Sequence, residues 1–160
     1  MTVATMPTDN LTLQIVPCTV EEVLAYQHSA LVARFQEKLG LTHEEAVQFF
    51  NDIKRFLYLC AVSPETISPN ETLDFGWHEF ILFTRDYNHF CQNYFGRFIH
   101  HRPRHPDDPP TKGEGGKRAL ALAHKVFGNN LSENWRYPRL EGAGSDPCDN
   151  CGCNAACNDG

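Results

Sequence analysis

The stretch from Thr72 to Pro103 leaves the chain few options, because its first half is apolar on almost every side. Leu73, Phe75, Trp77, Phe80, Ile81, Leu82 and Phe83 crowd together too closely for a helix with one wet face. A helix that is apolar all round belongs inside a protein. Set into it are Asp74 and His78, four residues apart and therefore on one face. A buried polar group needs a partner or it costs several kcal/mol. Two readings of the pair stay open: a carboxylate beside a hydrogen-bonded histidine, or a metal-binding imidazole oriented or joined by Asp74.

Something must wrap such a helix, and the flanking sequence supplies amphipathic candidates. Thr19 with Glu22 has the capping-box spacing and opens a first helix, whose apolar positions run from Val20 to Leu39 before Gly40 stops it. His28 falls in line with Leu24 and Leu31 and reads as a hydrogen-bonded helix histidine. Thr42 with Glu45 repeats the capping signal for a second helix, with Ala46, Phe49, Phe50, Ile53, Phe56, Leu57 and Cys60 as its stripe. The short link at Gly40 and Leu41 predicts that these two are antiparallel neighbours. Pro64 and Pro69 force a loop before the central stretch, and Lys117 to Phe127 gives one further helix ending at Gly128. Leu11, Leu13 and Ile15 alternate with polar residues and predict a short extended piece on the surface. The expected fold is all-α, a small bundle of about four to five helices. Residues 1–140 are expected to form the domain, with a core over 19–128, and 141–160 a disordered, Cys-rich tail.

The second half of the central stretch carries its own stripe: Tyr87, Phe90, Cys91, Tyr94, Phe95 and Phe98. By periodicity Cys91 is a core residue. On one straight helix the thirteen residues from His78 to Cys91 turn through about 220°, onto nearly opposite faces. A shared site therefore needs a break near Thr84 to Asp86. With it, Asp74, His78, Cys91 and one member of the His100–His101 pair could gather at the inner corner. Adjacent residues point in different directions, so only one of the pair is expected there; His101 is preferred, being nearer Pro103. A carboxylate, imidazole and thiolate set suits zinc, with iron as the lesser option.

These same residues form a block: D-x-x-W-H at Asp74, Trp77 and His78, T-x-x-Y at Thr84 and Tyr87, then Cys91, Phe95–Gly96 and His100–His101. The block resembles that of the glycine-rich domain-containing protein-like family, in its small bacterial form, over about residues 20–103. The resemblance implies an α-helical domain with a functional cluster and no established reaction. The glycine-rich tail that names the family is missing here, so no RNA-binding role carries over.

A net charge of −6 argues against a dedicated nucleic-acid or anionic-membrane binder. The first residues lack a charged n-region and an apolar h-region, and no apolar run reaches the roughly 18 residues of a membrane span. Cytoplasm is the expected compartment, with a small molecule or a protein as the unidentified partner. Arg97, Arg102 and Arg104 form a local basic patch, read as a solvated loop beside Asp107 and Asp108. Seven cysteines fit a disulfide framework poorly, and clustered cysteines in a reducing compartment read first as metal or redox groups. Cys148, Cys151, Cys153 and Cys157 form such a cluster, C-x2-C-x-C-x3-C, able to wrap one zinc or Cu(I) ion. Three functions compete: a helical metalloprotein built on the central cluster, an interaction module acting through the tail, and a thiol-redox protein using the tail cysteines. The spacing of a zincin is absent, since His78–Glu79 is followed by Leu82 where the second histidine belongs.

Overall fold

The structure, a computed structural model, describes residues 12–103, 105–109 and 113–136. Among these residues there are six α-helices, α1 Val20–Ala25, α2 Ser29–Leu39, α3 His43–Val62, α4 Glu71–Ile81, α5 Thr84–Phe95 and α6 Glu114–Phe127, with a 3-10 turn at Glu133–Trp135. They pack as an all-helical bundle around α3, which touches α1, α2, α4, α6 and the 3-10 turn. Both capping boxes form: Thr19 and Thr42 accept from the backbone N–H of Glu22 and Glu45, whose carboxylates accept in return. No helix among the described residues is long and apolar enough to cross a membrane. The tail with Cys148, Cys151, Cys153 and Cys157 lies outside the described residues, as does Leu11.

The first helix departs from expectation. The segment predicted as one helix up to Leu39 is two, because the chain is extended at Tyr26 and at His28. Instead of lying along a helix face, His28 caps α2: its Nδ1 accepts from Leu31 N–H, and its Nε2 lies 2.8 Å from Asp86 on α5. The break lets the peptide carbonyls before α2 face the core, where Lys54 meets them (below). The central stretch is broken too, at Leu82–Phe83, just ahead of the expected Thr84 to Asp86.

Gly76 sets how closely α4 approaches α3. A Cβ there would fall 2.8 Å from Phe49 Cζ and closer still to Ile53 Cδ1, so any side chain would force these two to shift. With that contact closed, Trp77 and Phe80 are fully buried, and the face bearing Asp74 and His78 is left at the edge of the bundle. The apolar pattern of α4 matches its burial, but that burial stops short of His78.

Candidate metal centre

Asp74 stands in the first turn of α4, where a helix N-terminus favours negative charge. Asn70 caps that terminus, its side-chain oxygen accepting from Leu73 N–H at 2.8 Å. The Asn70 amide also donates to the carbonyls of Asn134 and Arg136, which pins the start of α4 to the 3-10 turn. One helical turn on, His78 places Nδ1 3.1 Å from Asp74 Oδ2.

The third member arrives from beyond α5. Gly96 takes a left-handed conformation (φ +72°) that ends α5 and reverses the chain. The returning segment is not helical, and along it Ile99 is buried, His100 is exposed, and the His101 side chain is 5% exposed. His101 Nε2 lies 2.8 Å from Asp74 Oδ1. Its ring packs against Trp77 at 4.4 Å between centroids and against His78 at 4.2 Å. A buried relay holds the segment in register: Trp77 Nε1 donates to the Tyr87 hydroxyl, which donates to the Ile99 carbonyl. Arg97 adds a bond to the Ala61 carbonyl at 2.8 Å.

Asp74, His78 and His101 thus each offer a ligand atom within 4.8 Å of the others. Ligands on a tetrahedral zinc with bonds of 2.0–2.1 Å stand about 3.3 Å apart. Here each imidazole sits on its own oxygen of Asp74, at 3.1 and 2.8 Å, so an ion would have to move between the rings and draw the three side chains onto itself. The set has a dry side and a wet side. Asp74 and His101 are nearly enclosed, whereas the His78 side chain is 50% exposed, so a bound ion would keep positions open to solvent. The expectation of a histidine sunk in apolar surroundings fails for His78 and describes His101 instead. Position 78 falls on the rim because α4 buries its Trp77, Gly76 and Phe80 faces against the bundle.

The structure does not bring His100 or Cys91 to this group. The His100 ring points outward and rests on Phe98. Cys91 is fully buried within the α5 stripe. Burial pushes its thiol up to about 11, the Ile99 backbone and Tyr87 side chain pulling the other way. A thiol must lose its proton to ligate, and this one holds it. The corner between α4 and α5 was expected to turn Cys91 inward to His78; it turns Cys91 into the core, behind Tyr87.

Sequence reasoning passed over other buried polar groups. Asp52 on α3, 1% exposed, accepts from Gln48, Arg55, Ser132, Asn134 and Trp135. Glu79 on α4 pairs with Arg34 and Lys38 of α2. Lys54 on α3 is 2% exposed.

A family profile described as UCP032817-like matches residues 21–141. The chain belongs to that family. This corrects the resemblance drawn from the Asp74–His101 block: the glycine-rich domain-containing protein-like family is not the one that matches. The block is a set of aromatic packing residues around a few polar ones, which is too little to separate two helical families. No curated protein and no solved structure matches the chain.

Proposed function

We propose that this UCP032817-like protein is a metal-binding helical protein whose ion is held by Asp74, His78 and His101. The observation that carries this reading is the convergence of two imidazoles on one nearly buried carboxylate. Two histidines and a carboxylate with open positions are a donor set used for both zinc and non-haem iron(II). Zinc is the first choice and iron the second. Asp74 and His101 form the fixed floor, and the rotatable His78 closes over the ion from the solvent side. With coordination positions left to water, such an ion could polarise a small ligand, and a reaction would be built there.

The test is metal analysis of the purified full-length chain, followed by competition titrations with zinc and iron(II) under anaerobic conditions. About one ion per chain is expected, with affinity falling by at least tenfold in both His78→Ala and His101→Ala. Truncation after Gly144, which removes the four tail cysteines, should leave that ion in place. Metal that persists in both histidine variants and disappears with the truncation would assign the ion to the tail and overturn the proposal.

A further inference from the structure

A second feature, independent of the metal reading, lies where α3 meets the α1–α2 connection. Lys54 is buried, yet its ammonium meets no carboxylate within 4.0 Å among the described residues. Its partners are neutral: the carbonyls of Leu24 and Tyr26 at 2.7 and 2.6 Å, and the Phe50 ring with its centroid 4.6 Å away. Two carbonyls and a ring face offset part of the cost of a buried cation, but none supplies a countercharge. The same lysine lines a cavity of about 280 Å³, together with Leu24, Val32, Val47, Phe50 and Asn51. The lining is mainly apolar, and the volume is at the small end of ligand pockets.

We propose that this cavity is a binding site for a small carboxylate with a short apolar body, its anionic head on Lys54 and its chain among Val32, Val47 and Phe50. The head supplies the missing countercharge and fills the ammonium's remaining donor capacity, since an ammonium carries three N–H groups. Asn51 offers an amide at the same wall. The chain displaces water from the apolar lining. Burial, with Arg55 beside it, already lowers the Lys54 pKa to about 8, which is the electrostatic cost that a bound anion relieves.

Isothermal titration and ligand-observed NMR on the full-length chain test this with sodium hexanoate as probe, and with 1-hexanol and inorganic phosphate as controls. Hexanoate should bind at least about tenfold more tightly than either control, because only it has both a charge and an apolar body. Lys54→Met should weaken hexanoate by about tenfold or more and leave hexanol unchanged. Val47→Trp, at the half-exposed rim, should block hexanoate while sparing the Lys54 bonds, and it decides the matter if the Lys54 variant does not fold. The proposal is overturned by no hexanoate binding up to about 10 mM, by equal binding of either control, or by a folded Val47→Trp protein that binds hexanoate like wild type.

Discussion

Asp52 and Asp74 are both carboxylates taken almost wholly out of water on neighbouring helices, and they have opposite prospects. Asp52 is saturated by groups that only donate here: an arginine, two side-chain amides, a hydroxyl and an indole N–H. Of these, the arginine and the indole carry no lone pair that a cation can use. Asp74 faces two imidazoles, each of which can present either an N–H or a lone pair. Burial of a carboxylate therefore does not mark a site. What marks one is whether its partners can exchange a proton for an ion.

The sharpest way to break the comparison is to remove each carboxylate in turn. Asp52→Ala should destabilise the fold by about 3 kcal/mol in urea unfolding, because Trp135 Nε1 and Arg55 lose their acceptor together and the 3-10 turn comes off α3. Asp74→Ala should cost about 1–2 kcal/mol, since His101 is enclosed but His78 can turn to water. Metal affinity should follow the reverse order, lost in Asp74→Ala and kept in any folded Asp52 variant. Equal losses of metal in the two would mean that the ion merely tracks folding.

Gly76→Ala comes next in size. The added methyl meets Ile53 and Phe49, and overpacking of that kind costs about 1–3 kcal/mol, more than the gain in helix propensity returns. It also pushes α4 off α3 and carries Asp74 and His78 outward with it. Metal affinity should therefore fall although no ligand changed, and titration beside a stability curve checks both.

Much of this architecture could be read in the sequence because it rests on local rules. The capping boxes at Thr19 and Thr42 and the glycine stops at Gly40 and Gly128 depend on residues within a few positions of one another. The Asp74–His78 pairing was legible for the same reason, being one helical turn. The extended break ahead of α2 was not, because residues around His28 continue a helical pattern, and the bond that ends it comes from Asp86, far along the chain. Lys54 was invisible for a related reason: among Asp52, Arg55 and Asn51 it looks like part of a wet face, and only the broken α1–α2 connection presents carbonyls to it. His101 was favoured over His100 because of the nearby proline. The structure puts it at Asp74 by turning the chain back after Gly96, with Ile99 buried and His100 outward.

Cys91 sharpens the contrast from the thiol side. Its replacement by alanine should leave metal affinity unchanged and cost about 1 kcal/mol for the small void next to Tyr87. With its thiol held near 11, it should resist iodoacetamide at pH 8 in the folded chain, while the partly exposed Cys18 reacts. Peptide mapping after brief alkylation separates the two. Rapid labelling of native Cys91 would show that the α5 stripe opens.

The smallest effect concerns a third carboxylate, Glu79, whose partners are permanent cations. Burial alone raises its pKa, but the Lys38 and Arg34 bonds and charges outweigh that and hold it below the ordinary 4.5. A carboxylate depressed in the folded state adds stability that is complete above the unfolded value and disappears as pH falls through the folded one. Glu79→Gln should therefore be less stable than wild type at neutral pH, with the gap closing below about pH 4.5. Both cations are more than a third exposed, so solvent screening keeps the gap small and salt should shrink it further. Parallel urea titrations at pH 7 and pH 3.5 read the difference. Glu79 joins α2 to α4 without touching the imidazoles, so a change in metal affinity at neutral pH in Glu79→Gln would show that the Asp74 site depends on how α4 is held rather than on its own three side chains.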